Sequence, residues 1–339
     1  MLTGLSSIID QDAAISTLRR ALASDKLHHA YLFEGPAGVG KHLTAMALAL
    51  AINCEKGNDG CGECSHCRKI LKGNHPDYLE LVPQEGKHNI LIDGVRQAEG
   101  WIRMRPHEGR ARVMVISPAD AMTESAANAL LKTLEEPRRG NYIVLVSAAS
   151  ASLLPTVRSR CQSVRFRALS EQTVHQILVA NGMDREQAQL LASFSRGSMD
   201  MATQYRSEEV AGRAQMAARL LEGASSRIPE AALDAAAALR DRGEAIAVLE
   251  LLLFAMEDIL KARTGISDAG GMTQFFGGLM QKLQQGGTVQ SATTHIAAIH
   301  RALVSIQRNN MNPQLAIEGM IMSMRSRNKD AFWSRIGAK

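Results

Sequence analysis

Ala30-Tyr31-Leu32-Phe33-Glu34-Gly35-Pro36-Ala37-Gly38-Val39-Gly40-Lys41-His42 decides how the rest of the chain is read. Its first residues, Ala30 to Phe33, form a short apolar run suited to a buried strand. The run passes without a break into a glycine-rich turn, and an apolar helix is expected from Leu43 to Asn53. Strand, glycine-rich turn and helix make the setting of a phosphate-binding loop. Glycines let backbone N–H groups approach phosphate oxygens, and the helix start adds its positive dipole end. The pattern G-x-x-x-x-G-K runs from Gly35 through Gly38 and Gly40 to Lys41, whose ammonium suits the outer phosphates. His42 then stands where such loops carry the Ser or Thr hydroxyl that holds Mg²⁺. Imidazole is a poor partner for a hard cation that prefers oxygen, so Mg²⁺ is not expected. Whether ATP or ADP occupies the loop stays open.

The other half of a magnesium site belongs at the end of a central strand. Ala111-Arg112-Val113-Met114-Val115-Ile116 is such a strand, apolar after its arginine and suited to a parallel sheet. It ends in Ser117-Pro118, and neither can act as a carboxylate base. Asp120, a little further on, is expected to point elsewhere. Both magnesium-holding elements are thus defective, which makes loss of hydrolysis the economical reading. Around this strand the spacing predicts further strands at Asp77–Val82, Asn141–Ser147 and Val164–Phe166. Ser147 either faces a phosphate or simply ends its strand. Helices are expected from Ala13 to Leu22 capped by Asp12, from Gly94 to Met104 capped by Asp93, and from Glu124 to Leu134 capped by Thr123. Arg103, Arg105, His107, Arg110 and Arg112 crowd one loop, which suits a phosphate or DNA backbone and equally a solvated surface.

Cys54, Cys61, Cys64 and Cys67 follow the first helix with the spacing C-x6-C-x2-C-x2-C. The close trio cannot share one face of a straight helix. It suits a knuckle around tetrahedral Zn²⁺, with Cys54 arriving from the helix end. Four sulfurs leave no open position, so the zinc is structural, and His66 is not needed as a ligand.

The chain has 339 residues, 45% hydrophobic and 22% charged, with aromatics at 4%, so it is long enough for two or three mainly helical domains. Its net charge of +5 permits contact with nucleic acid without requiring it. No apolar run reaches the roughly 18 residues of a membrane span, and no secretory signal pattern opens the chain, so a cytoplasmic protein without a membrane partner is expected.

The order of P-loop, four-cysteine knuckle, the helix Ala126-Ala127-Asn128-Ala129-Leu130-Leu131-Lys132-Thr133-Leu134-Glu135-Glu136-Pro137 and then Ser159-Arg160-Cys161 resembles bacterial clamp-loader subunits of the AAA+ class. The resemblance covers residues 1 to about 205. It implies a RecA-like α/β P-loop domain at 1–168 with the knuckle at 54–67, a helical lid at 169–206, and an all-α collar at 207–339. Motors of this class carry Thr after the P-loop lysine, an Asp-Glu pair after the central strand, and an arginine where this chain has Gly197-Ser198-Met199-Asp200. This chain therefore resembles the non-motor branch, whose Ser-Arg-Cys arginine projects to the ATP of an adjacent subunit. The resemblance implies that role for Arg160, in place of its neighbour Arg158. It implies gamma/tau ATPase subunits, a delta subunit, the sliding clamp and, through the complex, primed DNA as partners. It also implies little or no ATPase activity of the chain's own, within a DNA polymerase III assembly. The alternative is an active gamma/tau-like motor in which other residues replace the missing groups.

Beyond residue 207 the sequence is helical, with Ala231–Leu239 and Ala245–Leu260 as its plainest segments. Leu251, Leu252, Leu253 and Phe254 in a row imply a helix buried on most sides, by its own domain or by a partner. Gly270-Gly271, Gly277-Gly278 and Gly286-Gly287 punctuate this region, and Arg325, Arg327, Lys329, Arg335 and Lys339 make a basic tail read as solvated.

Overall fold

The computed structural model describes residues 3–204, 207–225, 229–265, 288–307 and 309–325. The three glycine pairs, and Arg327, Lys329, Arg335 and Lys339 of the tail, lie outside the described residues. Two compact units emerge, one of Met1–Ile177 with Ser195–Met201 and the other of Leu178–Phe194 with the described residues from Ala202 onward.

The first unit is built on a five-stranded sheet. β1 (Ala30–Glu34), β2 (Tyr78–Leu81), β3 (Arg112–Ile116), β4 (Asn141–Ser147) and β5 (Gln162–Arg165) lie in the order β2-β3-β4-β1-β5. Every neighbouring pair is parallel, with Leu32 opposite Leu145 and Met114 opposite Ile143. β3 is buried at all its positions, as a central parallel strand covered on both faces must be. Chain reversal at β1 gives helix α2 (Lys41–Asn53), which is apolar on nearly every side and buried along almost its whole length. On the other face Met114, Ile116 and Leu145 pack with Val95, Ala98 and Ile102 of α4 (Ile92–Ile102) and with Ala126, Leu130 and Leu134 of α5 (Glu124–Glu135).

Two helix starts depart from the spacing-based reading. α4 begins at Ile92, because extended Leu91 is its N-cap and Asp93 falls inside the first turn. α1 (Asp12–Ala23) likewise has Gln11 as N-cap without a side-chain bond. The Gln11 amide donates instead to the Val39 and Arg167 carbonyls, tying α1 to the glycine-rich turn. Thr123 does cap α5, accepting from the Ala126 N–H.

In the second unit, Arg185–Phe194, Ser207–Ser225, Glu230–Ala238, Arg242–Arg263, Val289–Gln307 and Pro313–Arg325 are helices. Leu251 and Leu252 are buried, while Leu253 and Phe254 are half-buried, and Arg242–Arg263 packs on Ser207–Ser225 and Val289–Gln307 of its own unit. Asp241 caps this helix through the Glu244 N–H, and Arg213 pairs with Glu244 at 2.6 Å. Among the described residues no helix is long and apolar enough to cross a membrane.

Candidate functional site

The glycine-rich turn sits at the carboxyl end of β1, where open parallel sheets form their ligand crevice. Gly35 has φ +146°, and a Cβ there would lie 2.3 Å from the Phe166 carbonyl oxygen. Gly38 has φ +69°, and a Cβ there would lie 2.4 Å from Ser198 Oγ. Gly40, also left-handed, is the N-cap of α2. The segment Gly197–Asp200 rests directly on this turn, the Met199 N–H donating to the Gly38 carbonyl at 2.8 Å. Lys41 is only 5% exposed. Its Nζ donates to the Gly35 carbonyl at 2.7 Å and to the Pro36 carbonyl, so the ammonium is folded onto its own loop. Burial pulls its pKa below the usual lysine range, while the carboxylates of Asp120 and Asp200 pull it back up.

Asp120 thus corrects the expectation that it points elsewhere. The short 3₁₀ turn Ala119–Ala121 brings it back beneath β4, where Ser147 Oγ donates to Oδ1 at 2.6 Å and the Ala148 N–H at 3.1 Å. The Ser147 hydroxyl is engaged by that carboxylate. His42, in the hydroxyl's usual place, has Nε2 3.5 Å from Glu80 Oε1, and the Tyr78 hydroxyl also donates to Glu80.

Arg160 follows the short helix α6 (Pro155–Arg158), which Val157 anchors in the core. Its Nη1 donates to the Thr156 carbonyl at 2.8 Å and its Nη2 to Glu135 Oε1 at 2.5 Å. The side chain is 34% exposed. Arg158 is exposed, and Cys161 packs against the core, where burial pushes its thiol up to about 12. Arg160, Glu135, Ser159 and Gln162 border an open cavity of about 440 Å³ together with His28 and His29.

The four cysteines converge. Cys54 is the C-cap of α2, Cys64 the N-cap of α3 (Ser65–Leu71), and Cys67 lies in its first turn. Their sulfurs all lie within 4.8 Å of one another. The Cys61 and Cys67 sulfurs are 3.9 Å apart, close to the ~3.8 Å edge of a tetrahedron with Zn–S bonds of ~2.3 Å. Backbone N–H groups of Lys56, Cys64 and Cys67 point at the sulfurs of Cys54, Cys61 and Cys64 at 3.3, 3.3 and 3.5 Å. Such donors favour thiolates, and N–H bonds from Cys64 and Glu63 bring the Cys61 thiol down to about 6. Burial pushes Cys67 up to about 12. The donor set fits a four-thiolate metal site.

His66 takes no part in that cluster. Its Nδ1 is 2.8 Å from His75 Nε2, and His75 Nδ1 accepts the Asp77 N–H at 3.0 Å. Nε2 of His75 therefore carries the hydrogen and donates to His66, so the pair is a hydrogen-bonded relay. Glu108 completes a group whose ligand-type atoms lie within 4.8 Å of one another, but its carboxylate is already gripped by Lys69 at 2.6 and 2.7 Å. Beside it Asp77 is fully buried and accepts N–H bonds from His107, Glu108 and Gly109 at 2.7, 2.9 and 2.8 Å. Arg112 Nε lies 3.2 Å away. The Arg112 guanidinium also donates to the Arg105 and Trp101 carbonyls and stacks 4.7 Å above the Trp101 ring. Arg112 is thus withdrawn from the basic loop that suited a phosphate or DNA backbone.

A family model described as DNA polymerase III, delta subunit, matches residues 10–170. The Bacillus subtilis DNA polymerase III subunit delta' is 30% identical over 319 residues, covering 93% of this chain and 96% of that one. The chain belongs to the delta-prime family of DNA polymerase III clamp-loader subunits. The Pseudomonas aeruginosa delta' is 42% identical over 135 residues, 39% of this chain and 41% of its own length. The Bacillus subtilis tau subunit is 32% identical over 200 residues, 57% of this chain and 35% of that one.

For this family member, sequence reading brought out the glycine-rich turn, the cysteines and Arg160. It missed Glu135 as the partner of Arg160, Glu80 opposite His42, and the buried Asp77. Only Asp77 left a signal: an arginine at the head of a fully apolar strand demands a buried counter-charge.

Proposed function

We propose that this chain is a non-hydrolysing clamp-loader subunit that lends Arg160 to the nucleotide of an adjacent ATPase subunit. The reading rests chiefly on the end of β3, where Ser117 and Pro118 stand in place of the acidic residues that hold Mg²⁺ and activate water. With His42 turned to Glu80 and no carboxylate at Ser117 or Pro118, the chain's own site offers Mg²⁺ neither of its usual holders. Arg160, by contrast, stands at an open cavity. A guanidinium supplied in trans stabilises charge on a transferring γ-phosphate and couples hydrolysis to assembly. In this reading zinc holds the four cysteines as a structural element. The helices from Ser207 onward form a collar with tau/gamma and delta subunits, and the assembly places a sliding clamp on primed DNA in the cytoplasm.

Purified chain given Mg-ATP is expected to show no turnover approaching about one per second. Arg160→Ala is expected to leave folding and assembly intact while the reconstituted loader's DNA-stimulated ATPase falls at least about tenfold, since arginine fingers contribute 10³–10⁵ elsewhere. An unchanged rate refutes the trans role. One observation favours a second reading, an active motor: the Asp120 carboxylate lies close enough to influence Lys41. In that case the isolated chain hydrolyses ATP and Asp120→Asn abolishes it.

A further inference from the structure

We propose that Glu135 is a latch that keeps Arg160 neutralised until a neighbour's polyphosphate displaces it. This rests on the reading of Arg160 as the arginine lent in trans. The guanidinium is held at two points of different kinds. Nη1 is bonded to the Thr156 carbonyl, a backbone anchor four residues back, while Nη2 is bonded to a side chain of another helix. Cys161, packed against the core behind it, fixes the base of the arm. Releasing the Glu135 bond therefore frees the tip while leaving the base in place.

Three observations make Glu135 more than an incidental partner. It is the last residue of α5, where a carboxylate meets the negative end of the helix dipole, so helix stability does not account for it. The pair stands on the wall of the open 440 Å³ cavity, which gives the released guanidinium room and gives a phosphate group access. A guanidinium matched by a carboxylate also presents little net charge to a third group, so it cannot stabilise a developing γ-phosphate charge until the two part. Both partners are partly exposed, at 34% and 49%, so the contact is weak and salt-sensitive, as a latch that must open requires. A γ-phosphate carrying more than one negative charge outcompetes a single carboxylate for the same fork of donors.

The test uses the full loader reconstituted with its ATPase subunits, comparing wild type, Glu135→Gln, Arg160→Ala and the double variant. Glu135→Gln is expected to raise the DNA-free ATPase kcat about two- to fivefold, the range an exposed ion pair can hold closed, with KM for ATP unchanged. Raising salt should lift the wild-type rate toward that of the variant and leave the variant's rate where it was. The double variant should match Arg160→Ala. A Glu135→Gln rate equal to or below wild type, in a complex that assembles normally and is still impaired by Arg160→Ala, overturns the latch alone. If Arg160→Ala leaves the rate unchanged, the trans arginine itself fails.

Discussion

Asp77→Ala is expected to destabilise the sheet-containing unit by about 3–5 kcal/mol, the cost of leaving one member of a buried ion pair without its partner. Asp77 is fully buried and the Arg112 side chain is 7% exposed, so water cannot replace the lost carboxylate. Three backbone N–H groups, of His107, Glu108 and Gly109, would lose their acceptor at the same time. Chemical denaturation followed at Trp101, which lies under Arg112, with Trp333 replaced by Phe, reads this out. A loss below about 1 kcal/mol would mean that Arg112 is held by the Trp101 and Arg105 carbonyls alone. Adding Arg112→Met to Asp77→Ala should recover part of the loss, because the stranded charge is then gone. The pH dependence has a definite sign. Burial pushes the Asp77 carboxyl up, but its N–H bonds and the Arg112 charge outweigh that and hold it below the ordinary carboxylate range. Its contribution is therefore complete above that ordinary value and is lost as pH falls through the lowered one. Asp77→Asn should show a flatter stability profile than wild type below about pH 4.

What could be read from sequence divides along the range of the interactions. Thr123 and Ala126 are neighbours, so their cap is written in the local sequence, and β4 falls where its apolar run predicts. Gly35 and Gly38 were legible because φ beyond the reach of L side chains admits little else there. Asp120 was misjudged because the 3₁₀ turn after β3 redirects it, and nothing in Ser117-Pro118-Ala119 announces that turn. Glu135 and Arg160 come together only once α5 and α6 are packed, so their pairing is a tertiary fact. His66 and His75 show the same limit: the sequence sets His66 aside as an unneeded ligand, but only the folded chain brings it 2.8 Å from His75, whose tautomer the Asp77 N–H fixes.

The second large effect is expected at the cysteines. Wild-type chain purified without chelator should carry one zinc by metal analysis, and Cys67→Ala should carry none, since Cys67 is fully buried among the other three sulfurs. Losing the metal opens the loop between the end of α2 and the start of α3. That loop does structural work beyond itself: the Asp59 carbonyl accepts the Leu5 N–H at 2.9 Å, and its carboxylate binds the Ser6 N–H and Arg19 at 3.2 and 2.8 Å. The N-terminal residues and α1 are therefore pinned through the knuckle. Cross-linking a loop of this size stabilises by about 3 kcal/mol, and a domain of this length shifts by about 2–4 °C per kcal/mol, so the thermal midpoint should fall by roughly 6–12 °C. Hydrogen exchange should show α1 loosened together with the loop, which a purely local site would not produce. Cys161→Ala is the control, because Cys161 lies beside Arg160 and is no part of the cluster, and its metal content should equal wild type. Wild type that holds no metal, or a midpoint that a chelator leaves untouched, would show the four thiols to be a packed cluster and remove zinc from the account of this domain.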